Sequence, residues 1–160
     1  MLNYIKGDLF EIAENLKKSS SNPFYLAHAC NCQGAWGAGI AHTFKLKNYQ
    51  DYLEYNKFCT ESLEWYDDIC GGVLVTQSNI ICLFTAAWYG KRTDSPTDII
   101  NNTKKAFKSL DAMLPKNAVV YSPKFNSGLF RVPWKESEKI LKDFLALRPD
   151  VKWTVVEWTE

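Results

Sequence analysis

Phe24-Tyr25-Leu26-Ala27-His28-Ala29-Cys30-Asn31-Cys32-Gln33-Gly34-Ala35-Trp36-Gly37-Ala38-Gly39-Ile40 runs from an apolar segment through a loop of small residues into a stretch of helical period. Phe24–Cys30 reads as a buried strand and Ile40–Leu46 as the helix after the loop. A strand, a glycine-rich turn and a helix in that order form half of a parallel α/β unit, with the turn at the C-terminal end of the strand. Small residues at such a turn let a ligand approach the backbone and meet successive N–H groups, which binds phosphate without strong side-chain charge. Pro123-Lys124-Phe125-Asn126-Ser127-Gly128-Leu129-Phe130 is a second loop of this kind, after the apolar run Ala118–Ser122. Two phosphate-type loops at matching strand ends suit a diphosphate-containing nucleotide.

Outward from these loops, Leu2–Lys6, Gly72–Gln77, Asn79–Thr85 and Val151–Glu157 are the other expected strands. Tyr49–Leu63 and Asp98–Leu114 carry helical periodicity, and a further helix begins near Leu9. The last helix is marked by Pro133 at its first turn, by Glu136 near its positive end and by Trp134, Ile140, Leu141, Phe144 and Leu145 on one face. Pro149 ends it. Gln77-Ser78-Asn79 is expected to turn one strand into an antiparallel neighbour, whereas the helix-containing crossovers favour parallel pairing. The fold class expected is α/β, a three-layer α/β/α sandwich around a mixed, mostly parallel sheet of about six strands, with ligand loops at the C-terminal strand ends.

The 160 residues suit one domain spanning 1–160, and 46% hydrophobic content supplies a core. Lys and Arg number 19 against 18 Asp and Glu, so no basic field is present to hold a nucleic-acid polymer. Five cysteines, an odd number in a chain too long to need staples, favour reduced thiols in a cytoplasmic or nuclear protein. No apolar run reaches membrane-spanning length, so no membrane partner is expected.

In order and spacing, Tyr4-Ile5-Lys6-Gly7-Asp8-Leu9, Cys30-Asn31-Cys32 with Trp36-Gly37-Ala38-Gly39-Ile40-Ala41, and Asn126-Ser127-Gly128-Leu129-Phe130 with Val132-Pro133-Trp134-Lys135-Glu136 resemble a macrodomain. Within that superfamily the chain is most similar to the fungal ADP-ribose 1''-phosphate phosphatases, and the resemblance covers nearly its whole length. It implies a single, monomeric macrodomain that takes small-molecule ADP-ribose derivatives, needs no cofactor or metal, and hydrolyses a phosphate monoester arising as a by-product of tRNA splicing. The alternatives are a noncatalytic ADP-ribose-binding module and an ADP-ribosyl hydrolase with atypical catalytic residues.

The resemblance implies that Asp8 accepts from the adenine amine while the Leu9 N–H meets a ring nitrogen. The same Asp8 is a good N-cap for a helix starting at Leu9, and the two roles are compatible. Asn31 corresponds to the asparagine facing the distal ribose, although alone it is an ordinary turn former. Gly37, Ala38, Gly39 and Ile40 match the stretch that packs against diphosphate and distal ribose, and their spacing is not a dinucleotide fingerprint. Pro123, Asn126, Ser127, Gly128, Leu129 and Phe130 match the diphosphate cradle, with the N–H groups of Ser127 to Phe130 on the phosphates. Gly128 is expected there on steric or backbone grounds, and Phe130 lies against the distal ribose or in the core.

His28, Cys30 and Cys32 alternate as metal ligands could, but no second pair at zinc spacing accompanies them. His28 is either a core histidine or, with Asn31, one of two residues placing a water in line with the terminal phosphate. His42 is expected to be structural or exposed; Trp36 is read as pocket wall or packing, and Trp153 and Trp158 as adenine border or packing. Ala41, Ala86 and Phe130 stand where the resembled ADP-ribosyl hydrolases keep an aspartate, a lysine and a second-loop aspartate. Neither a C-x5-R nor a D-x-D phosphatase motif is present, so the expected chemistry is positioning and electrostatics.

Overall fold

The computed structural model describes residues 1–62, 69–92 and 94–159. The chain folds as β1 (Leu2–Lys6), α1 (Leu9–Ser19), β2 (Tyr25–Asn31), α2 (Gly39–Lys47), α3 (Tyr49–Glu61), β3 (Val73–Val75), β4 (Ile80–Ala86), a 3-10 turn (Gly90–Arg92), α4 (Pro96–Met113), β5 (Val119–Ser122), α5 (Trp134–Leu147) and β6 (Lys152–Glu157). The strands form one sheet in the order β1-β6-β5-β2-β4-β3. Every neighbouring pair is parallel except β3 with β4. The sequence pattern foretells this split: the β3–β4 link is a tight turn at Thr76–Asn79, and each parallel connection contains a helix.

Alternation along the strands sends side chains to two cores. Ala27, Ile81, Leu83, Val120 and Trp153 face α4 and α5 through Phe107, Leu110, Leu141 and Phe144. Leu26, Cys30, Ile80, Cys82 and Phe84 face α1, α2 and α3 through Leu9, Ala13, Phe44, Tyr55 and Cys59. The outcome is the expected three-layer sandwich, because strands buried on both faces need a helical cover on each.

Element ends follow their caps. Asp8 starts α1 by accepting from the N–H groups of Phe10 (2.9 Å) and Glu11 (3.5 Å). Ser95 caps α4 by accepting from the Asp98 N–H, and Pro96 fits its first turn, so the helix begins at Pro96 rather than at the expected Asp98. The expected Gly72–Gln77 strand contracts to Val73–Val75, because Gly72 is held in a turn by its N–H bond to Ile69 O and Thr76 already belongs to the hairpin turn. Of the expected Tyr49–Leu63 helix, Tyr49–Glu61 is helical, and Leu63 lies outside the described residues. No helix is long and apolar enough to cross a membrane among the described residues.

Candidate functional site

The C-terminal ends of five strands open onto one cleft of ≈ 1660 Å³. From one end of the sheet to the other, its walls are Gly7–Phe10 after β1, Val156–Trp158 at the end of β6, Pro123–Arg131 after β5, Asn31 and Ala35–Ala41 after β2, and Tyr89–Lys91 after β4. Crossover helices leave the strand tops free for loops, which is why a cleft forms on this edge.

Its middle is built for an anion. α2 starts at Gly39 with Ala38 as N-cap, and no side chain caps it, so the first amides of the helix face the cleft unsatisfied. Opposite lies the β5 loop, folded by bonds from Ser127 N–H to Lys124 O (3.3 Å), Arg131 N–H to Gly128 O (3.1 Å) and Val132 N–H to Asn126 O (2.9 Å). The amides of Gly128, Leu129 and Phe130 take no part in these turns and remain for a ligand. Ser127 departs from the expected cradle of four amides, because its N–H and its hydroxyl (2.5 Å) both donate to Lys124 O.

The protein's own packing leaves space at two of these glycines. A Cβ at Gly37 or at Gly128 would meet no protein atom within 4 Å and would stand in the cleft itself. Gly128 has no positive φ, so the backbone ground expected for it does not apply, and the steric ground concerns a ligand rather than any protein atom. Gly39 does sit at a positive φ of 61°, where the added Cβ would come within 3.2 Å of Leu129 Cδ1. The two loops therefore approach each other closely at Gly39 and Leu129.

At the β1/β6 end, both cap bonds of Asp8 go to Oδ1, leaving Oδ2 for an incoming donor. The Leu9 N–H, which caps nothing, lies beside it while the Leu9 side chain is core. Lys124 Nζ is paired with Glu157 Oε1 at 2.9 Å, and Trp158 stands 68% exposed at the rim. Trp153 does not border this end. It is fully buried in the α4/α5 core, donating through Nε1 to Ser122 Oγ at 2.8 Å.

Asn31 is the keystone of the β2 loop. Its Oδ1 accepts from the N–H groups of Gln33 (2.9 Å) and Ala35 (3.3 Å) and from the Tyr55 hydroxyl (3.0 Å), while Nδ2 donates to Ala35 O (2.7 Å). One Nδ2 hydrogen is left over. Tyr55 also reaches Asn31 O at 2.7 Å, a support that the sequence reading missed although Asp51, Tyr55 and Cys59 recur at i, i+4 spacing on α3. Gln33 Nε2 ties this loop to the next by donating to Ala87 O (2.9 Å), and Asp94 holds the post-β4 segment by accepting from the N–H groups of Ala87 (2.8 Å) and Trp88 (3.1 Å).

His28 is among the residues that line the cleft, at its floor, with no solvent-exposed surface of its own. It is fully buried, stacked on Phe44 with ring centroids 4.0 Å apart and met edge-on by Trp36 at 4.7 Å. Burial lowers its pKa to about 3, so the imidazole is neutral at physiological pH. Trp36 is itself core, stacked on Tyr55, and its Nε1 has no hydrogen-bond partner. His42 is exposed on α2.

The donors that come together are His28, Cys30 and Cys82, all within 4.8 Å, rather than His28, Cys30 and Cys32. A register shift between Cys30 and Asn31 ends the strand alternation, and Cys32 instead faces Cys70, Sγ to Sγ 2.9 Å. Burial pushes the Cys30 thiol up, so this cluster offers a protonated thiol and a neutral ring under an aromatic cover.

Asn126 turns its side chain away from the cleft. Oδ1 accepts from Thr85 Oγ1 (2.8 Å), and Nδ2 donates to Thr103 Oγ1 (3.0 Å) and Ser137 Oγ (3.2 Å). These bonds fasten the β5 loop to β4, α4 and α5, with Asn126 at φ 68°. Phe130 is half-buried beside Ala86, Ile99 and Val132 while still lining the cleft, so packing on this small cluster does not withdraw it from the site.

The geometry has counterparts in known proteins. The Macro domain family matches residues 27–141. An ADP-ribose 1''-phosphate phosphatase of Meyerozyma guilliermondii is 36% identical, with 88% of this chain and 92% of that protein covered. One of Debaryomyces hansenii is 34% identical, covering 94% and 98% respectively. Among solved structures, the macrodomain of Mycobacterium tuberculosis DarG superposes with a TM-score of 0.75 at 20% identity, covering 98% of this chain and 97% of that one. With the family matched across most of the chain and the sheet, crossovers and cleft in place, the chain belongs to the macrodomain family.

Proposed function

We propose that the protein is a phosphoric monoester hydrolase that converts ADP-ribose 1''-phosphate and water into ADP-ribose and inorganic phosphate. The observation that carries this reading is the uncapped N-terminus of α2 opposed by the free amides of Gly128 to Phe130, in a chain matching fungal enzymes of that name over nearly its full length. The diphosphate sits between the two sets of amides, adenine meets Asp8 and Leu9, and the distal ribose reaches Asn31. The water oxygen bonds to phosphorus as the bond from phosphorus to the C1'' oxygen breaks. Asn31, through its spare Nδ2 hydrogen, positions the reacting group. His28, buried at the cleft floor and neutral, enters as packing under the loop rather than as a proton carrier.

Such a reaction runs on positioning and electrostatic stabilisation, and the high intrinsic barrier of phosphate monoesters makes slow turnover the expectation. The metal-type donors that cluster among the described residues, His28, Cys30 and Cys82, are all buried and include no carboxylate, so activity should survive EDTA. Ala41, Ala86 and Phe130 supply neither a carboxylate nor an amine, so ADP-ribose linked to glutamate should not be released. In this reading the substrate comes from tRNA splicing, and the protein acts as a monomer in the cytoplasm or nucleus.

Phosphate release from ADP-ribose 1''-phosphate by purified protein, with and without EDTA, is the test. Release that persists with chelator and falls in Asn31→Ala is the expected result. A protein that binds ADP-ribose and releases no phosphate is instead a binding module.

A further inference from the structure

Charge is divided along the cleft. Near β1 and β6 stand the Asp8 carboxylate and the paired Lys124 and Glu157, whereas Lys91 after β4 and Arg131 at the end of the β5 loop line the cleft with no further carboxylate among its lining residues. Neither cation has an ion pair among the described residues. Lys47, the remaining cationic lining residue, belongs to the last turn of α2. Asp94, the nearest acid in sequence to Lys91, is occupied with two backbone N–H groups at the base of the segment.

Both cations are carried on anchored backbone. Lys91 lies in the Gly90–Arg92 turn, where Gly90 takes φ 66°, and the segment is fixed by Asp94 and by Gln33 on Ala87 O. Arg92 is not available in the same way, since its guanidinium packs over the Trp88 ring, 4.5 Å from the centroid. Arg131 sits between Phe130 and Val132, which pack on Ala86 at the end of β4 and on Ile99 of α4. Its φ of 59° is a left-handed conformation that a long side chain seldom takes, and the turn bond from its N–H to Gly128 O holds it there. Two exposed cations that line the cleft without an ion partner among the described residues, one after β4 and one closing the β5 loop that packs on the end of β4, are suited to a further anionic group.

We propose that Lys91 and Arg131 are specificity-determining residues that read a terminal phosphate beyond the ADP-ribose unit. This rests on the phosphatase reading for the identity of that phosphate. Neutral amides at the α2 terminus and in the β5 loop serve the diphosphate that every ADP-ribose derivative shares, so the two cations add affinity only for ligands with the extra dianion.

The test compares ADP-ribose with ADP-ribose 1''-phosphate in wild type, Lys91→Gln, Arg131→Gln and the charge-retaining Lys91→Arg. Calorimetry gives the ADP-ribose Kd. The phosphorylated ligand is followed by KM where the wild type turns it over and by direct titration where it does not. The expected result is a wild-type preference for the phosphorylated ligand that falls about tenfold or more in each Gln variant, as loss of a charge-assisted hydrogen bond implies. ADP-ribose affinity should stay within about twofold by the same reasoning, and Lys91→Arg should retain the preference. Equal weakening of both ligands, an unchanged preference in both Gln variants, or a wild type with no preference would overturn the proposal. Tight binding of the phosphorylated ligand without turnover would remove the phosphatase reading and leave the cation assignment standing.

Discussion

Asp8 shows two demands met by one side chain, since Oδ1 caps α1 while Oδ2 is left to a ligand. Asp8→Asn keeps an oxygen for the cap and puts a donor where adenine needs an acceptor. Its stability should stay close to wild type while ADP-ribose affinity falls, whereas Asp8→Ala should lose affinity and also about 1 kcal/mol of stability with the cap. Unchanged affinity by calorimetry in both variants would reduce Asp8 to a cap. His28 allows a test by pH. Its folded pKa of about 3 lies below the ordinary histidine value, so the unfolded chain binds the extra proton first as pH falls. The stability that rests on neutral imidazole is therefore complete above about pH 6.5 and drains away towards pH 3, by at most about 1.4 kcal/mol per pH unit. Denaturant unfolding of His28→Gln between pH 7 and 4 should show a slope shallower than wild type by up to one proton. Identical slopes would mean that the ring titrates normally in the fold. The sequence placed His28, Asn31 and Asp8 near the loops but did not say which way they face. Asn31 was legible as a turn former, yet its bond to Tyr55 spans 24 residues and leaves no mark in local pattern.

Elements were the most legible part, because their signals are local. Asp8, Pro133 and Pro149 mark helix ends directly, and the apolar alternation of β2 and β4 matches two helical covers. Errors gathered where a tertiary bond or a turn overrides the run of residue types: β3 stops early at Thr76, and the strand alternation fails at the register shift after Cys30. Asn126, expected at the ligand, does line the cleft, but the bonds by which its amide joins β4, α4 and α5 to the β5 loop were not legible. The hydroxyl partners Thr85, Thr103 and Ser137 lie on three separate elements and carry no shared motif. Asn126→Ala should orphan these buried groups and lose a side chain tolerant of φ 68°. A destabilisation of about 2–3 kcal/mol is expected from the unsatisfied partners alone. Because the loop then loses its fixed register, ADP-ribose affinity should fall as well. A variant equally stable in urea, with wild-type affinity, would show that the loop is held by the packing of Phe125 and Val132 instead.

Over the whole molecule, five strand ends converge on one cleft, and a ligand bridging them couples elements far apart in sequence. The near-neutral net charge of +1 hides how that cleft is charged, since a composition cannot separate Asp8 and the paired Lys124 and Glu157 near β1 and β6 from Lys91 and Arg131 elsewhere on its walls. Order and spacing of the loop residues revealed the family; no count could have revealed Lys91 or Arg131, whose meaning depends on which wall they line. ADP-ribose should touch Asp8 on the first turn of the chain, the α2 terminus in its first third and Gly128 near its end, so binding must favour the folded state as a unit. Ligand at about 100 times its Kd adds about 2.7 kcal/mol to stability. For a domain of this size, where 1 kcal/mol moves Tm by about 2–4 °C, that corresponds to a rise of about 5–11 °C. Gly128→Val supplies the control: its Cβ meets no protein atom, so unliganded Tm should stay within about 2 °C of wild type, and the branched side chain should fill the phosphate path and abolish the ligand-induced rise. A wild-type protein unmoved by millimolar ADP-ribose, or a Gly128→Val variant that shifts as far as wild type, would show that the cleft between the α2 terminus and the β5 loop is not where the ligand sits.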